Sequence, residues 1–276
     1  MPSILLHVTA AALYTGLAVI FWRTRWRGPA LDQPLRGMAS WERAWLLMAV
    51  VLHGITLIGE IFPGDEMRFG FSVALSLILW LAIAVYWIES LYARMDGLQM
   101  LGLPLAALCV LLPPLFPGQH LLANAGSMMF RTHFLVAMLA YSLFTLAALH
   151  AILMAVAEKR LHRGRLTPLF AGLPPLLTME ALLFRMIHIA FALLTVTLAS
   201  GILFSETLFG KPLSFSHKTV FAIISWLIFA ALLTGRHLRG WRGRTALRWT
   251  LAGFAALLLA YVGSRFVLEV ILGRAA

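Results

Sequence analysis

The chain has 276 residues, 61% of them hydrophobic and 12% charged, with a formal net charge of +11. Water-soluble domains carry about twice that share of charge, which excludes an aqueous globular fold and predicts an all-α, polytopic membrane helix bundle. In such a bundle the excess of cations is not the footprint of a nucleic-acid binder, because the distribution of charge matters more than its sum.

Taken in chain order, eight helices are predicted, at about 3–22, 43–62, 71–90, 98–116, 131–157, 180–204, 217–235 and 249–271, each near the length that crosses a hydrocarbon core roughly 30 Å thick. Together they use nearly all of residues 1–276, so a single transmembrane domain is expected. The first run has no basic residue before its apolar core and is followed by "RTRWRG" (23–28). It reads as a retained helix rather than a cleaved signal. The lone cysteine, Cys109, lies in the fourth run and excludes an intrachain disulfide or a CxxC pair. "PLFPG" (114–118) and "GLPP" (172–175) punctuate loops. In the eighth helix Ala252, Ala256, Ala260 and Ser264 form a small-residue strip suited to close packing.

The connections alternate in charge. One side holds Arg23, Arg25, Arg27, Arg36, Arg43, Arg94, Lys159, Arg160, Arg163, Arg165, Arg236, Arg239, Arg242, Arg244 and Arg248; the other holds Arg68, Arg131, Lys211, Lys218 and Arg274. The positive-inside rule makes the first set cytoplasmic and places both termini outside. The remaining cations, Arg185 and Arg265, fall within predicted spans. Ionisable groups at membrane depth are costly, and each is a functional hypothesis by default.

Nine histidines are many for so apolar a chain, and imidazole is the usual protein ligand of haem iron. Helices 2 and 6 both run outward, which places His53 roughly 15 Å and His188 roughly 12 Å from the cytoplasmic end at 1.5 Å per residue. The two are therefore expected to meet at one level. His53, Thr56 and Glu60 form one polar stripe, and Arg185, His188 and Thr195 another, both expected to face the bundle interior. A second pair, His133 and His217, opens helices 5 and 7 at the outer surface, close in level to Arg131, Lys218 and Arg265. Basic groups there suit haem propionates, since guanidinium binds carboxylate in a fork. Arg265 has a simpler reading, an ion pair with Glu269 one turn away. His7 and His120 read as interfacial, His150 as structural, and His162 and His237 as solvated charge among arginines. Trp80 and Trp226 lie deep enough to wall a macrocycle, with core packing the plainer reading.

The segment "MEALLFRMIHIAFALLTVTLASGILF" (179–204), an outer loop and "HKTVFAIISWLIFAALLTGRHLRGWRGR" (217–244) resemble the cytochrome c assembly family (CcsA/CcmC type), most closely its shorter HemX/YpjD-like branch. "THFLVAMLAYSLFTLAALHAIL" (132–153) fits the histidine-bearing helix before this block. The resemblance implies an eight-helix protein of the bacterial inner membrane that handles haem b and presents it at the outer face. Haem, membrane lipids, apocytochrome c and other assembly proteins are the implied partners, with His133 at the position of the outer ligand. The tryptophan-rich WGxxWxWD cradle of the family belongs after helix 6, where this chain reads "FSETLFGKPLSFSHKT" (204–219) without tryptophan. The family's second outer histidine belongs near "YVGSRF" (261–266), and Thr234 replaces its intramembrane histidine. A haem-binding or accessory role is therefore expected in place of a full synthase.

Three functions remain open on the residues alone: a haem-binding assembly or trafficking protein, a transporter of haem or another small anionic amphiphile, and a non-catalytic subunit of a membrane complex. No nucleophile–base set, paired-carboxylate site or phosphate-binding glycine loop is legible. Glu60 and Glu180 are lone carboxylates near helix ends. The chain reads as an assembly or accessory factor more than as an enzyme.

Overall fold

The computed structural model describes residues 2–26, 37–64, 67–92, 97–117, 120–122, 125–162, 173–209 and 216–273. Arg27, Arg36, Arg94, Gly118, Arg163, Arg165, Gly172, Lys211 and Arg274, invoked above, lie outside the described residues, as does the side chain of His120.

The protein is a helical bundle. Helix α1 (Pro2–Phe21) continues into a π turn at Trp22–Trp26, and α2 spans Ser40–Ile61. Helix α3 (Phe71–Glu89) precedes a broken pair, α4 (Gln99–Cys109) and α5 (Leu112–Leu115). Then come α6 (Met128–His162), α7 (Leu176–Leu203), a short α8 (Ser205–Phe209) and α9 (His217–Arg239). The last rod begins as α10 (Arg244–Leu258) and continues through π turns at Leu259–Gly263 and Val267–Ile271 on either side of α11 (Ser264–Phe266). Strands β1 (Arg68–Phe69) and β2 (His120–Leu121) form a minimal antiparallel ladder that ties the turn after α2 to the turn after α5.

Among the described residues, seven helical segments are long and apolar enough to cross a membrane, and Gln99–Leu115 is a shorter apolar one. The eighth predicted crossing is therefore the α4–α5 segment. Pro104 sits inside α4, while Pro113 and Pro114 open α5, and proline cannot donate to a helix ladder.

Helix α1 packs on α2 and α4, α2 on α3, and α3 on α6; α6 in turn holds α7 and α10, and α9 closes on α10 and α7. Helix α6 is the axis of the bundle and far more enclosed than α7 or α9. With lipid as apolar as leucine, these contacts stabilise through close packing. The inward face of α1 shows the pattern: His7, Ala10, Tyr14, Leu17 and Phe21 recur at alternating spacings of three and four and are all buried. At the centre the fully buried rings of Phe144 and Phe229 stack with centroids 3.9 Å apart. Beneath them Gly253 lies so close that an added Cβ would stand 2.8 Å from the Phe229 ring. Helix α10 thus comes close to α9 at Gly253, where Ser225 Oγ also donates to the Gly253 carbonyl at 2.9 Å. Of the expected strip, Ala256 and Ala260 are buried and Ala252 is exposed.

Candidate functional site

The polar groups inside the bundle gather at three levels. At mid-depth, fully buried His53 on α2 has Nε2 2.8 Å from Ser76 Oγ of α3 and Nδ1 3.3 Å from the Tyr14 hydroxyl of α1. Both ring nitrogens are engaged, and either hydroxyl can donate or accept to suit the tautomer. The stripe continues as expected: Thr56 is buried, and Glu60 stands 3.8 Å from buried His7. His7, expected at the interface, is instead buried, because it lies on the three-and-four inward face of α1; Tyr14, on the same face, was not singled out from the sequence.

The second stripe turns the other way. Arg185, His188 and Thr195 on α7 are exposed. Arg185 reaches Glu89 at the end of α3 at 3.2 Å, His188 Nδ1 donates to the Phe184 carbonyl one turn back at 2.7 Å, and Thr195 accepts from Trp226 of α9 at 2.9 Å. The structure does not bring His53 and His188 together. Helix α2 is enclosed by α1 and α3, whereas α7 leans on α6 and α9. Equal depth places two residues at one level and leaves their direction around the bundle unset. Trp80, which donates to the Val50 carbonyl at 2.7 Å and packs on Gly54, is a core residue. His150, as expected, is structural: its Nε2 donates to the Met179 carbonyl of α7 at 3.0 Å.

At the arginine-rich end, Arg236 of α9 donates to Glu180 of α7 at 2.6 Å and lies over the Phe184 ring at 4.5 Å. The other Glu180 oxygen accepts the Gly243 N–H at 3.0 Å. Gly240 and Gly243 both hold positive φ (65° and 56°), so the turn from α9 to α10 closes without Cβ strain. The Trp241 ring fills the space that a side chain at Gly235 would need. The "GWRGR" block is therefore an assembled joint between three helices. At the same end, Arg25 pairs in a fork with Glu42 at 2.8 and 3.1 Å, both side chains buried.

At the arginine-poor end, His133 near the start of α6 is half-buried, its Nδ1 2.8 Å from Ser200 Oγ of α7. Ser200 in turn donates to the Val196 carbonyl, 2.7 Å away on its own helix. His217, the first residue of α9, is exposed, and Arg131 is exposed with its Nε donating to the Ala125 carbonyl at 2.9 Å. Arg265 is only 4% exposed. It makes no ion pair with Glu269, whose Oε2 accepts the Phe71 N–H at 3.1 Å instead. The reason is local winding. The rod is π-helical on both sides of Arg265, and i→i+5 hydrogen bonds widen the turn so that the ordinary one-turn spacing of four no longer applies. Arg265 Nε and Nη1, Glu269 Oε1 and the Tyr261 hydroxyl are all buried without a hydrogen-bond partner, although the guanidinium lies beside that hydroxyl. Lys218 of α9 places Nζ 5.4 Å from the centroid of the Tyr261 ring. Phe69 of β1 packs between Tyr261 and Phe134, the neighbour of His133, at 5.8 and 4.9 Å. Among the described residues no three His, Cys, Asp or Glu converge as a metal-ion site.

Comparison with known proteins matches most of this chain. The chain is 29% identical over 245 residues to the inner membrane protein YpjD of Escherichia coli K12, covering 86% of this chain and 91% of that protein. An uncharacterized 28.8 kDa protein of Azospirillum brasilense is 32% identical over 213 residues, 72% of this chain and 76% of its own. The cytochrome c biogenesis protein CcsA of Thermosynechococcus vestitus is 36% identical over 86 residues, 31% of this chain and 27% of that protein. No solved structure matches. The profile described as Cytochrome C assembly protein matches residues 38–272, from the start of α2 to the end of the last π turn, and the chain belongs to that family.

Proposed function

We propose that this protein acts in cytochrome c biogenesis as a haem-handling protein of the inner membrane, holding haem b at the arginine-poor end of the bundle, which faces outward. Membership of the cytochrome c assembly family and similarity to CcsA support the role in biogenesis. The arginine count of the connections supports the orientation. The observation that carries the haem reading is His133: a half-buried imidazole fixed through Nδ1 by Ser200 of a neighbouring helix. The Nδ1 contact sets the tautomer and plane of the ring, which is the usual support of a metal-ligating histidine. The iron bond is then made by Nε2.

The residues at this end fit the group. Haem brings an iron that takes imidazole and an edge that carries two carboxylates. His133 is an imidazole at the right end, and buried Arg265 has nitrogens without a counterpart. His217 from α9 is the proposed second imidazole, and Arg131 a further cation at the rim. His53 is a poorer ligand, since an iron bond there would break a buried hydrogen bond to Ser76 or Tyr14 at a cost of about 1–3 kcal/mol. His188 and Arg185, on the outward face of α7, are proposed as contacts for a partner or for the ligand on its way in.

The biological test is a gene deletion, scored by the covalent haem content of c-type cytochromes. Those cytochromes should fall, return with the wild-type gene and stay low with His133→Ala. Unchanged c-type cytochromes in the deletion strain would refute the role.

A further inference from the structure

Arg265 presents a problem that its own helix does not solve. A buried guanidinium needs an opposite charge or a full set of acceptors, and removing a charge from water without them costs several kcal/mol. Here Nε and Nη1 have neither. Glu269, four residues on, is committed through Oε2 to the Phe71 N–H. A second cation, Lys218, approaches the same tyrosine ring from α9. It lies within electrostatic range of Arg265 and Glu269. Two cations against one carboxylate leave one positive charge unmatched. The Tyr261 hydroxyl adds a buried donor with no partner. The rod winds as a π-helix at Tyr261 and again at Glu269, a costly geometry that concentrates at functional sites. Around this polar centre the walls are aromatic: Phe69 against Tyr261, and Phe266 against Phe71 at 5.3 Å.

We propose that Arg265, Lys218 and Tyr261 form a binding site for the carboxylate of an amphiphile with an apolar body. The planar guanidinium matches the two oxygens of a carboxylate, the lysine adds a point charge from the facing helix, and the aromatic walls take the apolar body. Glu269 holds the charge balance so that one carboxylate completes it. This deepens the haem-handling reading and rests on it for the porphyrin as ligand. A fatty acid of the surrounding lipid carries the same chemistry.

The test uses full-length protein in detergent and two pairs of fluorescent probes: protoporphyrin IX with its dimethyl ester, and pyrene-dodecanoic acid with its methyl ester. In at least one pair the acid should bind about tenfold tighter than the ester, equivalent to about 1.4 kcal/mol. Arg265→Gln and Lys218→Gln should each cut that preference to twofold or less and leave ester binding unchanged. Thermal unfolding checks each variant. Lys218 is only half-buried, so its variant carries the test if Arg265→Gln does not fold. No preference for either acid, or a preference that survives these substitutions, overturns the proposal. If the pyrene acid is preferred while no porphyrin binds, the carboxylate site stands and the haem reading falls. If haemin still coordinates through His133 while both acids and esters bind alike, the haem reading stands and the carboxylate site falls.

Discussion

Glu180 of α7 receives the Arg236 guanidinium of α9 at 2.6 Å and, with its other oxygen, the Gly243 N–H at the start of α10. One carboxylate thus binds three helices at the arginine-rich end, and it does so inside the stretch that gave the chain its most specific family likeness. Glu180→Ala leaves Arg236 without its counter-charge, though the Trp241 carbonyl still accepts from it, and Gly243 without an acceptor. Because the Arg236 side chain is 35% exposed, water softens the loss, and the expected cost is about 2 kcal/mol. Glu180→Gln should cost less, since an amide oxygen still accepts. Thermal unfolding in detergent orders the three proteins.

Two ion pairs of the same chemistry should behave differently. Arg25 and Glu42 are both buried, and Glu42→Ala removes the counter-charge of a buried guanidinium, expected to cost about 3–5 kcal/mol. Arg185 is 61% exposed where it meets Glu89 at the end of α3, so Arg185→Ala should cost clearly less than Glu42→Ala. Equal losses in the two variants would contradict the burial described for them.

Gly253→Ala forces a methyl group against the Phe229 ring, which is stacked on Phe144 and has nowhere to go. Overpacking of this kind costs about 1–3 kcal/mol. Shrinking the ring should relieve it, so the double variant Gly253→Ala/Phe229→Leu should be more stable than the sum of the single effects predicts. Strict additivity in that double-mutant cycle would place the ring elsewhere.

Orientation is testable with the chain's own cysteine arithmetic. Cys109 is buried and is the sole cysteine. In a Cys109→Ala background, Glu206→Cys after α7 should react with a membrane-impermeant maleimide added to intact spheroplasts, and Leu238→Cys should react only after lysis. The opposite pattern would place the arginine-rich end outside.

How much of this was legible from residues alone follows from what a membrane hides. Span lengths were readable because the hydrocarbon thickness sets them, and among the described residues seven long helices with one short segment stand where eight were expected. Direction around each helix was not. Lipid-facing and protein-facing sides are both apolar, so the spacing of Arg185, His188 and Thr195 showed a shared face without showing that it turns outward. Tyr14, and the burial of His7 that the interfacial reading missed, were legible in principle, since both stand among small and large apolar residues at three-and-four spacing, the mark of a buried face. Arg265 was noticed, but its expected pairing with Glu269 assumed ordinary α winding. The π turns that separate them have no sequence rule as firm as proline or glycine. Lys218 and Tyr261 belong to that site only through the approach of α9 to the last rod, a long-range contact that no local pattern encodes.

The most direct measurement is the visible spectrum of the detergent-purified protein with added haemin, before and after dithionite, alongside His133→Ala and His53→Ala. The account predicts a Soret band with sharp reduced α and β bands, lost in His133→Ala and kept in His53→Ala. A protein that takes up no haemin, or one whose bands vanish with His53 and persist without His133, would contradict it.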